Sequence, residues 1–253
     1  MTIGCNVAGY GPIRLLVLHG WLSDKGVYDL IAPLFAHARY TIAQMDFRGY
    51  GLSRNLQGNY TIDEIADDAL ALANTLDWNE FHVLGHSMGG MVLQKMALKA
   101  PFRILSGIAT APVSASGFEM DEGTRAFFLS AADSDEALTE IFNILTGKRH
   151  AKGFLESLTQ STRRSTTRNA FLGYLDAWTR TNFATEVGSI ALPIRIIAGA
   201  HDGALGPDVM KQTYLKQLKN VQMRVIDGAG HYPMLETPAE FFSLVDGYLA
   251  PKS

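Results

Sequence analysis

FHVLGHSMGG, residues 81–90, is the stretch on which the reading of this chain turns. An apolar run, 81–84, leads into Gly85-His86-Ser87-Met88-Gly89-Gly90, and a stretch with helical spacing, 91–99, follows. Glycines cluster wherever backbone must turn tightly, so one reading is an ordinary turn. The other is chemical. Gly-x-Ser-x-Gly between a strand and a helix has the form of a nucleophile elbow, a strained turn that lifts a serine hydroxyl above the edge of a sheet. The pattern alone does not separate the two readings; its surroundings do.

Outward from the elbow, short apolar or β-branched runs recur at 15–18, 40–45, 81–84, 105–110, 194–198 and 222–226, with helical patterns between them at 26–36, 62–76, 88–99, 207–218 and 238–249. Strands apolar throughout, alternating with helices, predict an α/β fold: a mostly parallel central sheet with helices on both faces. Thr61 with Glu64 forms a capping box, and Pro207 and Pro238 suit a first helical turn. Between Val113 and Thr185 the alternation stops. Leu138, Ile141, Phe142 and Leu145, then Phe171, Tyr174, Leu175 and Trp178, fall at helical spacing, which predicts a helical insertion. The expected organisation is a core domain of 1–112 and 186–253 and a helical cap of 113–185. Charge within the insertion is lopsided: 119–140 carries seven acids against Arg125, and 148–168 carries six bases against Glu156. Both runs read as solvated helix surface.

Composition narrows the function classes. With 47% hydrophobic and 19% charged residues in 253, the chain is an ordinary globular protein, and a net charge of −3 invites neither nucleic acid nor an anionic membrane surface. The start, MTIGCNVAGYGPIR, lacks a basic region followed by an apolar core, and no apolar run reaches membrane-spanning length, so a cytoplasmic location is expected. A lone cysteine, Cys5, excludes an internal disulfide and a multi-cysteine metal site.

A serine hydroxyl becomes a useful nucleophile only when a base takes its proton, and the base in turn needs an orienting carboxylate. Of seven histidines, His231 lies in DGAGHYP directly after the run 222–226, and Asp202 lies in GAHDG directly after 194–198. Both emerge where strands end, the place where open α/β sheets carry their sites. His201 adjoins Asp202 too closely to be oriented by it, His86 reads as a buried turn residue, and Asp227 ranks behind Asp202 as the acid. The amide of Met88, opening a helix, is one donor for an oxyanion. The second is expected from His19-Gly20-Trp21, where glycine allows close approach and the Trp21 amide faces the site; His19 itself reads as structural.

Together LHGW, DFRGYGLS (46–53), GHSMGG, IIAGAHD and GAGHYPMLETPAEF resemble the α/β-hydrolase superfamily over nearly the whole chain outside the insertion. That resemblance implies the order nucleophile, acid, base, matched by Ser87, Asp202 and His231, with a variable cap where the helical insertion lies and a structural turn at Asp46 to Ser53. It implies a serine hydrolase acting on a small ester or lactone through an acyl-enzyme, needing no metal or organic cofactor. The same residue set also serves C–C bond hydrolases, cofactor-free ring-cleaving dioxygenases and small-molecule receptors with residual turnover; serine at 87 argues against dehalogenases and epoxide hydrolases, which use aspartate there. Relatives usually fit two further strands before the run at 15–18, and only fourteen residues precede it here, so the first hairpin is expected to be lost or shortened. Trp21, Phe128, Phe142, Tyr174, Trp178 and Tyr232 are expected to line a compact pocket for an apolar or aromatic substrate, with Arg163 or Arg164 available to steer a carboxylate. Monomer and homo-oligomer stay equally open.

Overall fold

The computed structural model describes residues 2–250. Seven strands form one sheet: β1 (Cys5–Gly9), β2 (Ile13–Leu18), β3 (Tyr40–Met45), β4 (Phe81–His86), β5 (Ile104–Thr110), β6 (Ile194–Gly199) and β7 (Val221–Ile226), in the order β1-β3-β2-β4-β5-β6-β7. All neighbours run parallel except β1, which pairs antiparallel with β3, Cys5 opposite Met45. The interior strands are the predicted apolar runs, and their middles are buried because helices cover both faces. Strand β1 was not visible in the pattern: CNVAG is short, at the sheet edge and half exposed, so no burial demand shapes its sequence. Among the described residues it is the one strand that precedes β2.

Helices α1 (Ile62–Thr75), α2 (Met88–Lys99) and α10 (Pro238–Leu249) stand where their patterns place them. The Thr61 hydroxyl caps α1 by accepting from the Glu64 amide. Two expected helices differ. Residues 26–36 form two 3₁₀ turns, Lys25–Tyr28 and Ala32–Leu34, because Pro33 cannot continue a helix through the middle of the segment. Residues 207–218 split at Thr213 (φ −112°, ψ −90°) into α7 (Pro207–Gln212) and α8 (Tyr214–Gln217). A one-turn helix, α9 (Pro233–Glu236), adds to the list.

Between β5 and β6 lie four helices, α3 (Glu122–Ser130), α4 (Asp135–Leu145), α5 (Lys152–Ser165) and α6 (Arg168–Arg180), three of them started by side-chain caps from Asp121, Ser134 and Thr167. Their lopsided charges are not simply solvated. The acidic run meets the basic one: Arg163 reaches Asp135 at 2.7 Å, Arg168 reaches Asp133 at 2.7 Å, and Lys148 comes within 3.9 Å of Glu140. Among the described residues no helix is long and apolar enough to cross a membrane.

Candidate active site

Parallel strands bring β4, β6 and β7 to one edge by their carboxyl ends, and each hands its chain to a loop there. Ser87 sits between β4 and α2 with φ 54° and ψ −117°, a conformation that costs a non-glycine residue of order 1–3 kcal/mol. Surrounding bonds hold it there. The Ser87 amide donates to the Thr110 carbonyl at 2.9 Å, and its carbonyl accepts from Gly90 and Val113 at 2.9 and 3.0 Å. Glycine is required at 89 because a Cβ would lie 2.7 Å from the His19 carbonyl oxygen. These contacts make the segment an elbow.

The base loop closes from the other side. His231 Nδ1 and Asp202 Oδ2 are 2.7 Å apart, and Asp202 Oδ1 accepts from the Ala204 and Leu205 amides at 2.9 Å each. An ionised carboxylate can only accept, so Nδ1 carries a proton, and in the neutral imidazole it is then Nε2 that has the lone pair. No described protein group bonds Nε2. His231 and Ser87 line the same cavity of about 40 Å³.

The amides of Met88, which opens α2 and so has no intrahelical partner, and of Trp21 have no acceptor among the described residues. The loop that carries Trp21 presses on the elbow. A Cβ at Gly20 would lie 2.9 Å from His86 Nδ1 and 3.0 Å from Ser87 Cβ, so only glycine allows this approach.

The other histidines fall into place. His19 donates from Nδ1 to the Gly20 carbonyl (2.7 Å), accepts at Nε2 from the Phe47 amide (3.1 Å) and stacks on Phe47, a structural arrangement in which burial pushes its pKa down. His86 donates from Nε2 to the His231 carbonyl at 2.8 Å; burial, with His231 close by, drives its pKa well below the ordinary range. His201 and Asp227 are exposed.

An aromatic wall closes the cavity. Trp21 and Phe128 stack with centroids 5.8 Å apart, Trp178 lies 5.7 Å from Trp21, and Phe118 lies 5.8 Å from Trp178. Of the expected lining, Trp21, Phe128, Trp178 and Tyr232 are there. Phe142 is not; it faces a neighbouring polar groove and meets Tyr232 at 5.7 Å. Tyr174 is not either, being buried against Tyr60 (5.3 Å) and Tyr50 (5.6 Å). One helical turn, about 6 Å of rise, separates it from Trp178 and is enough to move a ring from the cavity onto the turn after β3. Arg163 is spent on Asp135 and on the Ala131 and Ala132 carbonyls, while Arg164 lines the polar groove. Val113, Phe118, Ala204 and Leu205 also line the cavity but lie in loops, where no periodicity marks an inward side chain.

Comparison with known proteins agrees with this architecture. A pimeloyl-(acyl-carrier protein) methyl ester esterase of Nitrosomonas europaea is 26% identical over 259 residues, covering 97% of this chain and 98% of that protein. A fluoroacetate dehalogenase of a Burkholderia species is 40% identical over 111 residues, a stretch covering 42% of this chain and 36% of that protein. Among solved structures, the enol-lactonase from Burkholderia xenovorans superposes with a TM-score of 0.85 at 19% identity, over 98% of this chain and 96% of that one. The sequence profile of the alpha/beta hydrolase fold matches residues 13–238, most of the length, and the chain belongs to that family.

Proposed function

We propose that this protein is a serine hydrolase that cleaves a small carboxylic ester or lactone through an acyl-enzyme. The observation that carries the reading is one cavity holding both a strained, positive-φ serine and a histidine whose far nitrogen is bound to a buried carboxylate. Ser87 Oγ attacks the carbonyl carbon as its proton passes to His231 Nε2, and Asp202 holds the imidazole in the Nδ1–H tautomer and stabilises the imidazolium. The Met88 and Trp21 amides receive the oxyanion. His231 then protonates the leaving alkoxide, and a water molecule, deprotonated by the same nitrogen, releases the acid and restores Ser87.

Support for the substrate class comes from the full-length esterase relative and from the cavity. About 40 Å³ has room for roughly three waters, which matches a short acyl group walled by rings better than a lipid chain. The helices 122–180 act in this reading as a cap that supplies Phe128 and Trp178 to the wall. Serine at 87 keeps the activity named for the dehalogenase relative out of the proposal.

The test pairs a chain-length series of p-nitrophenyl esters and simple aryl lactones with intact mass after treatment with a small fluorophosphonate. A single adduct on Ser87 and kcat/KM highest for short acyl chains are expected. Rates rising steadily from acetate to palmitate would overturn the compact pocket, and turnover that consumes oxygen without acylating Ser87 would replace hydrolysis with ring-cleaving dioxygenation.

A further inference from the structure

The backbone around His231 is engaged on every side, by partners outside its own loop. The His231 amide donates to the Leu145 carbonyl at 3.0 Å, at the end of α4, while its carbonyl accepts from His86. On either side, the Gly230 amide donates to Glu236 Oε2 and the Tyr232 amide to Glu236 Oε1, both at 2.9 Å. One carboxylate thus straddles the peptide units before and after the base.

That carboxylate is fully buried, its side chain 0% exposed. A buried charge costs several kcal/mol unless hydrogen bonds and opposite charge compensate it. The compensation reaches in from the insertion. His150 Nε2 lies 2.9 Å from Glu236 Oε2 and Arg149 Nη1 lies 3.9 Å from it, both residues standing between α4 and α5. Arg149 also donates to the Gly228 carbonyl at 3.2 Å, three residues before the base. A carboxylate needed only to begin a one-turn helix would have no use for partners forty residues into the insertion.

From this geometry we infer that Glu236 and His150 are positioning residues for His231, so that the insertion holds the base in its catalytic orientation as well as covering the cavity. Peptide planes fixed at 230 and 232 fix the direction in which the imidazole leaves the chain, and a misplacement of about 1 Å in such a group costs roughly 100-fold in rate. The inference rests on Ser87, His231 and Asp202 acting as proposed above.

Glu236→Gln preserves shape but replaces one accepting oxygen with a donor, so that one of the two flanking amides faces N–H instead of oxygen. The measurement is the second-order rate at which a small fluorophosphonate labels Ser87, read by intact mass, beside kcat and KM on p-nitrophenyl acetate and the urea midpoint. Labelling and kcat are expected to fall roughly 10- to 100-fold with KM nearly unchanged. His150→Ala should lose part of the same rate, and His150→Gln, which keeps a donor, should restore most of it. If Glu236→Gln does not fold, the contrast between the two His150 variants decides. Variants that label as fast as the wild type while only the urea midpoint drops would overturn the inference and leave the nucleophile reading intact. A wild-type protein that takes no label on Ser87 would remove that reading, and the inference with it.

Discussion

Along one seam between the insertion and the sheet, α6 and the end of α5 lie on the turn that follows β3. Tyr50 bridges to Thr166, the Thr167 amide donates to the Gly49 carbonyl at 2.9 Å, and the Trp21 indole donates to the Phe171 carbonyl at 2.7 Å. Arg48 beside this turn is bound to Asp68 at 2.6 and 2.8 Å, which raises its pKa and ties the turn to α1. Along the other seam, the end of α4 and the stretch after it land on the base loop through Leu145, Arg149 and His150. The first seam is close packing between rings and backbone; the second is a few hydrogen bonds around buried charge. Packing contributes stability in proportion to what is buried, whereas a handful of bonds next to a reacting nitrogen contributes alignment. Damage to the first seam should therefore appear in unfolding, and damage to the second in turnover.

Removing the chemistry itself sets the scale. Ser87→Ala and Asp202→Asn should each lower turnover by ~10³-fold or more, about 4 kcal/mol of transition-state stabilisation, with urea midpoints near wild type. Near-normal activity of Asp202→Asn would transfer the acid role to Asp227.

Gly49→Val breaks the packed seam. Gly49 has φ +81°, and a Cβ there would lie 2.3 Å from Ala170 Cβ. Strain plus overpacking should cost roughly 2–4 kcal/mol in urea unfolding. The labelling rate of Ser87 in the folded fraction should stay near wild type; a rate that falls with stability would merge the two seams into one.

Acid should loosen both. Each seam holds a buried histidine kept neutral by desolvation, His19 at the turn after β3 and His86 against His231. In the unfolded chain these imidazoles protonate near pH 6.5, while in the folded protein their pKa values lie lower. Below about pH 6.5 the unfolded state binds more protons, so stability is lost as pH falls, by up to about 1.4 kcal/mol per unit for each histidine, and is regained above that range. His86→Asn should make the acid limb of stability against pH shallower; an unaltered slope would show that His86 does not contribute to it.

The smallest effects separate two rings one turn apart on α6. Trp178→Ala should move the ester chain-length optimum toward longer acyl groups by enlarging the cavity. Tyr174→Phe should leave that profile alone and change stability by no more than about 1 kcal/mol, since its buried hydroxyl bonds no described protein group. A profile shifted by Tyr174→Phe would put that ring back in the pocket.

Legibility from sequence followed the strength of the local demand. The six strands β2 to β7, the caps at Thr61, Ser134 and Thr167, and the elbow each satisfy a requirement within a few residues. Pro33 marks a break in 26–36 that the expectation of a continuous helix there does not include. Strand β1 had no apolar face to display. Glu236 was present in GAGHYPMLETPAEF without a sign of its partners, because His150 lies 86 residues away and spacing carries no information over that distance.

By itself, the order of residues determined the parallel sheet, the strained serine between a strand and a helix, and the emergence of Asp202 and His231 from strand ends, because each follows from covalent neighbours and the two short periods of helix and strand. Tertiary structure alone decided which rings of the insertion reach the cavity, that its acidic and basic runs pair with one another, and that its second seam falls on the base loop. Those outcomes depend on how a four-helix segment rotates and settles against a sheet, and a residue's place on its own helix does not say which neighbour that helix will meet.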